Sequence, residues 1–311
     1  MELEKPKIAM YAKRSFGEKL NATFDFIKEN WKPLFKYITY LILPLCLIQA
    51  LSLNGLMSGS LSMSMNAQAG ALSPLAGAGL MFWMNYGLMI LCSLLGSMIL
   101  VALLYSLMAT YNNRDGRLEG ITFTDIRPLL FKNMGKLLLV GVFCVVVIFI
   151  ICFIIGSLMF LTPFTLILTV PLALAGSVPL ALFAPIYLFE NIGVMAAFKK
   201  TFRLGFATWG GIFLLTIIMN LIAGILQSIT MLPWYIATIV KYFFAVSDGG
   251  TAATVSPLYS FFLYLLGILQ GFGAYLSMAF VYISLAYQYG HASEVVDSVS
   301  VEDDIDNFDK L

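Results

Sequence analysis

Apolar residues in this chain come in long runs separated by short charged stretches, rather than in the alternation of a half-buried strand. A bilayer crossing takes about 20 helical residues, fewer or more with tilt. On that measure the runs predict six spans, at about 37–53, 80–110, 137–161, 164–189, 212–231 and 258–289. Three of the charged stretches carry a second pattern. Phe16, Leu20, Phe24, Ile27 and Trp31 recur at helical spacing and predict an amphipathic helix over 13–32. Ser15 and Glu18 offer it a capping box, and Lys19, Asp25, Lys28 and Glu29 take its other faces. Ile126, Leu129, Leu130 and Met134 form a second, shorter stripe, with Pro128 suited to a first helical turn. Met195, Phe198, Phe202, Phe206 and Trp209 form a third, with Lys199, Lys200 and Arg203 towards the other side. The predicted architecture is an all-α polytopic membrane helix bundle. Its six spans form three helical hairpins, each preceded by a short cytoplasmic amphipathic helix. Residues 1–12 form a polar tail, 13–290 a single membrane domain and 291–311 an acidic cytoplasmic tail.

Within that frame several segments have a character of their own. Residues 54–79 have no charge and many Gly, Ser, Met and Ala, which predicts a flexible loop on the far side. The fourth run follows a tight turn at Thr162-Pro163. It carries Pro171, Pro179 and Pro185, so it is expected to kink or unwind locally. Residues 232–257, rich in aromatics and closed by Ser247-Asp248-Gly249-Gly250, predict an interfacial helix and a turn. Gly267 and Gly271 stand at the spacing that lets membrane helices pack closely. Aligning Trp31 with Trp209 also superimposes Phe24 on Phe202 and Leu20 on Phe198, an internal repeat that the middle unit follows only loosely.

Composition agrees with a bilayer environment: 60% hydrophobic residues, 11% charged, and a mean hydropathy of +0.90. The net charge of +1 points to no nucleic acid partner, but the distribution of cations fixes an orientation. Eight cations lie in 5–36, five in 111–136 and three in 199–203, with Lys310 at the end, against only Lys241 on the other side. The positive-inside bias therefore places both termini in the cytoplasm, with the first span as an uncleaved anchor. Cys46, Cys92, Cys144 and Cys152 all fall in apolar runs without metal spacing and are expected to be packing residues.

Candidate chemistry is sparse. Glu190 is the one acid that ends an apolar run, where an ionisable group is costly and often functional. The favoured reading is a structural one, in which Glu190 caps the helix that follows and pairs with a nearby Lys or Arg. His291 is the single histidine; without neighbouring ligands it is expected in a solvated loop, and Asp248 in a turn. Gln49, Asn85, Asn220, Gln227 and Gln270 either bond between helices, the favoured reading, or line a cavity. The acids Glu294, Asp297, Glu302, Asp303, Asp304, Asp306 and Asp309 form a solvated tail, or one that folds back on the basic face. The positions singled out as functional or structural are Glu190, Lys199, Lys200, Arg203, Trp209 and Trp31. No catalytic, cofactor or metal site is expected.

The segments SFGEKLNATFDFIKENWKPLF and PIYLFENIGVMAAFKKTFRLGFATW together resemble a broad family of bacterial six-span proteins. That family is typified by the membrane domain attached to some glycerophosphodiester phosphodiesterases, and the resemblance spans Ser15 to Tyr289. Pro185, Glu190, Gly193, Ala197, Thr201, Leu204 and Trp209 stand where the family has its recurring pattern. The end of the last run departs from it, reading VYISLAYQYGHAS where such proteins often have a tyrosine-aspartate-arginine element. The resemblance implies a stand-alone membrane domain without the catalytic barrel, in a bacterial inner (plasma) membrane. The expected function is that of a non-enzymatic membrane protein, an accessory or envelope-maintenance factor. Its expected partners are the lipid bilayer, anionic lipid headgroups or another membrane protein, and the alternative is a transporter or channel for a small solute or lipid.

Overall fold

The long apolar runs do form long helices, and most of them run further than their apolar cores. The computed structural model describes residues 6–68, 79–162, 164–247 and 256–300. Among these residues there are nine helices and no strand. They are α1 (Phe16–Glu29), α2 (Trp31–Gln68), α3 (Leu80–Asn113), α4 (Phe123–Leu161) and α5 (Thr165–Leu180), then α6 (Phe183–Phe189), α7 (Val194–Ala207), α8 (Trp209–Ser247) and α9 (Pro257–Val296). Six stretches are long and apolar enough to cross a membrane, with α5 and α6 together making one of them.

Four expectations are corrected by these boundaries. Residues 54–68 continue α2 instead of forming a loop; Ser58 and Ser60 donate to the carbonyls of Asn54 and Leu56 one turn earlier, which satisfies their hydroxyls within the helix. Residues 232–247 prolong α8 instead of forming a separate interfacial helix. Pro128 sits beyond the first turn of α4, because Thr122 and Asp125 form a capping box that starts the helix at Phe123. For the same reason the second short amphipathic helix does not exist as a separate element: α4 runs unbroken through it into the span. Pro163, Asp248 and the acids from Glu302 onward lie outside the described residues.

The expected irregularity in the fourth run is real. It breaks at Ala181-Leu182 between α5 and α6, where Pro179 and Pro185 remove two backbone donors. The break coincides with close packing: a Cβ on Gly205 would lie 2.8 Å from the Pro179 Cα.

The chain divides into two compact units. One comprises Met1–Leu34, Val101–Asn220 and Phe280–Leu311; the other comprises Phe35–Leu100 and Leu221–Ala279. In the first, α3 from Val101 to Met108 is buried on every side, as is α9 from Ile283 to Tyr289, so these two stretches form its core. The Tyr105 hydroxyl donates to the Tyr282 carbonyl between them at 3.2 Å. Along α4, by contrast, Val145, Ile148, Phe149, Phe153 and Phe160 are all exposed, the pattern of a lipid-facing surface. In the second unit Gly267 meets Ala50 and Gly271 meets Cys46, so the small residues of α9 do serve close helix packing. Gln49 donates to Ser93 at 2.8 Å and accepts from Tyr275 at 3.3 Å, which makes it an interhelical bond former. Asn85 and Asn220 instead donate to carbonyls of their own helices. Cys46 and Cys92 are buried as packing residues, whereas Cys152 is exposed on α4.

Helices α1 and α7 correspond closely. Both have 14 residues, and both ends, Phe16 to Val194 and Glu29 to Ala207, are 178 positions apart. Each ends at one residue of similar backbone geometry, Asn30 (φ −110°, ψ 21°) and Thr208 (φ −123°, ψ 26°), after which Trp31 or Trp209 opens a long helix. The side chains of Asn30 and Thr208 both bond the carbonyl four residues back, at 3.0 Å. Thr23 and Thr201, again 178 positions apart, do the same.

Candidate functional site

The expected aromatic stripes exist on α1 and α7, but the helices dock by their other faces. The buried side of α1 is Lys19, Ala22, Thr23 and Phe26, followed by Asn30; that of α7 is Ala197, Thr201, Leu204 and Gly205, followed by Thr208. Apart from Phe26 and Leu204, the residues that face the protein are small or hydrogen-bonding. The stripe Phe24, Trp31, Met195 and Phe206 remains exposed, at 39%, 57%, 53% and 58%. Trp209, the counterpart of Trp31, is fixed more firmly: its Nε1 donates to the Ala175 carbonyl at 2.9 Å and its ring stacks on Phe213. Lys199 is exposed.

Charge gathers where α6, α7 and the end of α9 meet. Glu190 ends α6 in an extended conformation, with its amide bonded to Ile186. Gly193 is the N-cap of α7, so Glu190 does not cap that helix; the intervening Asn191 and Ile192 carry its carboxylate elsewhere. What it does instead is pair. Lys200 Nζ lies 2.9 Å from Glu190 Oε1 and 2.9 Å from Asp297 Oδ2, joining two carboxylates through one ammonium. Arg203 Nη2 adds a 2.6 Å contact to Asp297, but its side chain is 59% exposed and that contact contributes little. The Tyr289 hydroxyl donates to Glu190 at 2.8 Å, and its ring stacks parallel to Phe189 at 5.8 Å. Lys136 Nζ donates to the carbonyls of Tyr187 and Glu190, the placement a cation favours at the end of α6.

Burial alone would lower the Lys200 ammonium below its ordinary value. The hydrogen bonds it donates to Glu190 and Asp297 more than reverse this, so it is held above the 10.5 of a free lysine. A raised pKa in the folded state stabilises fully below the unfolded value and is lost as pH rises through the folded one. The contribution of Lys200 is therefore constant across neutral pH and fades only in strongly alkaline solution.

At Asp297 the expectation of a solvated tail from residue 291 onward gives way to its alternative, a segment folded back on basic residues. α9 runs on to Val296, Ser298 then adopts a left-handed φ of 49°, and Ser300 bonds back to Glu294 through its amide and hydroxyl. His291 is likewise not in a loop. It lies in α9 with Nδ1 accepting the Arg14 amide at 3.0 Å, because residues 8–14 lie along this end of α9. Arg14 stacks its guanidinium over Tyr287 at 5.2 Å, Tyr11 meets Tyr289, and Tyr111 accepts the Ile8 amide.

A second buried cation, Lys19, donates to Gln288 at 2.8 Å with 4% of its surface exposed. Burial, reinforced by Arg14, holds its pKa below the ordinary value. Sequence reasoning took Lys19 for a solvated face. The signal that could have found it was the spacing Lys19, Thr23, Phe26, Asn30, which runs along one helix face and matches Ala197, Thr201, Leu204, Thr208 in the later segment. Tyr289, Gln288 and Arg14 carried no comparable signal.

Chemically, the cluster ties the ends of α6 and α9 to the middle of α7 by charge. Among the described residues no group of three His, Cys, Asp or Glu is placed to hold a metal ion. Comparisons with protein families, with curated proteins and with solved structures found no match.

Proposed function

We propose that the protein is a non-enzymatic multi-pass protein of a bacterial inner membrane, with both termini cytoplasmic, that holds anionic lipid at the inner leaflet as an accessory or envelope-maintenance factor. The observation that carries this is the arrangement of α1 and α7. Each buries a face made mostly of small and hydrogen-bonding residues and leaves part of its aromatic stripe exposed beside cations, Phe24 and the following Trp31 at α1 and Phe206 at α7, as suits a helix lying in the headgroup layer. Their position-by-position correspondence supports reading α1–α2 and α7–α8 as copies of one unit. The transporter alternative would use the broken span, but the break is filled by the contact between Pro179 and Gly205, which supports a packing kink.

Lipid retained around the protein in nanodiscs of phosphatidylglycerol and phosphatidylcholine should be enriched in phosphatidylglycerol. Phe24→Ser with Phe206→Ser removes about 1–2 kcal/mol of apolar contact with the leaflet, given half-exposed side chains. Hydrogen exchange of α1 and α7 should then quicken. Unchanged exchange together with unselective lipid retention would defeat the proposal.

A further inference from the structure

The corner at Asn30 opens a cleft that the charge cluster does not use. It has a volume of about 500 Å³, lies between the end of α1, the first turn of α2 and residues 117–120, and falls in the size range of small-molecule sites. Its charged lining is Lys28, Lys32 and Arg117 against Glu29 and Glu119, with Trp31 beside them.

We propose that this cleft binds the phosphodiester headgroup of one anionic phospholipid. Three observations converge on it. Lys28 and Lys32 are both exposed and bracket the corner, so two mobile ammonium groups reach one volume. Arg117 is placed, not free to wander. Its Nη1 donates to Glu29 at 2.7 Å, and Glu29 also accepts from Tyr111 at 3.0 Å. Its backbone holds a φ of 53°, a left-handed conformation that costs a side-chain-bearing residue about 1 kcal/mol. The turn keeps it there through bonds from Arg117 to Arg114 and from Glu119 to Gly116. Finally, the cleft carries three cations and two carboxylates, an excess of one that matches a monoanionic diester better than a doubly charged monoester.

A lipid is chosen over free phosphate because the cleft adjoins the outward aromatic stripe. Trp31 is 57% exposed with Lys32 Nζ 6.0 Å from its ring, and Phe24 is one turn from Lys28. A headgroup in the cleft would place its glycerol and acyl chains along those rings, where an aromatic residue is favoured at the membrane interface.

This inference rests on the leaflet-docking reading above, and the experiment separates the two. Native mass spectrometry of protein from nanodiscs of equal phosphatidylglycerol and phosphatidylcholine should show one phosphatidylglycerol retained after the surrounding lipid is stripped. Two lysines near a phosphate together give about 30-fold in affinity. Retention in Lys28→Gln with Lys32→Gln should fall by about that factor, and both positions are exposed, so the fold should survive. Equal retention by variant and wild type, or equal retention of phosphatidylcholine, would overturn the cleft while general enrichment of anionic lipid left the docking reading standing. Displacement of the retained lipid by millimolar inorganic phosphate would identify a free-phosphate site and overturn the lipid assignment. Absence of any anionic enrichment would sink both readings.

Discussion

Replacing Lys200 by methionine should destabilise the protein by about 2–4 kcal/mol at neutral pH. The ammonium stands between two carboxylates, 2.9 Å from each, and its removal leaves Glu190 and Asp297 facing one another with only the exposed Arg203 and the Tyr289 hydroxyl to compensate. Removing one partner of a fully buried pair costs about 3–5 kcal/mol. Here the Lys200, Glu190 and Asp297 side chains keep 21%, 19% and 16% of their exposure, so solvent screening reduces the figure. Thermal unfolding in detergent at neutral pH should show the deficit as a lowered midpoint of the variant. Adding Glu190→Gln to the variant should cost less than the two single changes together, because the second removes one of the stranded charges. Strict additivity would show that Lys200 acts through packing and not through charge.

The parts of this structure legible in the sequence are those governed by one-dimensional patterns. Six long apolar helices follow from run length, and the capping box at Ser15 and Glu18 follows from a local motif that the structure realises, with Ser15 donating its amide to Glu18 at 2.6 Å. The break near Pro179 and Pro185 was legible for the same reason, since proline acts on its own turn. Element ends were less so. The uncharged stretch 54–68 has the composition of a loop, yet a helix satisfies its backbone groups internally, as a bilayer requires, and Ser58 and Ser60 bond within that helix.

The cluster itself was half legible. Glu190, Lys200 and Arg203 lie within one segment and could be paired by proximity. Asp297 and Tyr289 are about 100 positions away, and only the course of α9 brings them in. On α1 and α7 it is the docked face that was missed, Lys19 above all. At a membrane the aromatic face can turn to lipid. The small polar face then packs on the protein, as Thr23 and Thr201 do.

The second large effect concerns Gly290. A Cβ there would overlap the carbonyl oxygen of Met10, and this is backbone that cannot swing aside as a side-chain tip would. Gly290→Ala should therefore cost about 2–3 kcal/mol, at the upper end for overpacking, or expel residues 8–14 from the end of α9. Expulsion has a specific signature. It would break the bond from the Arg14 amide to His291, the stacking of Arg14 on Tyr287 and the contact of Tyr11 with Tyr289. Protease cleavage should then quicken within residues 6–15 before anywhere else. Deleting residues 1–14 should destabilise the wild type but add little in the Gly290→Ala background, since the same contacts cannot be lost twice. The consequence would reach the charge cluster, because Tyr289 joins both: one contact to Tyr11 and a 2.8 Å bond to Glu190. If Gly290→Ala left cleavage of residues 6–15 and thermal stability at wild-type levels, the segment would not be fastened at this point, and Tyr289 would hold Glu190 without help from the N-terminal segment.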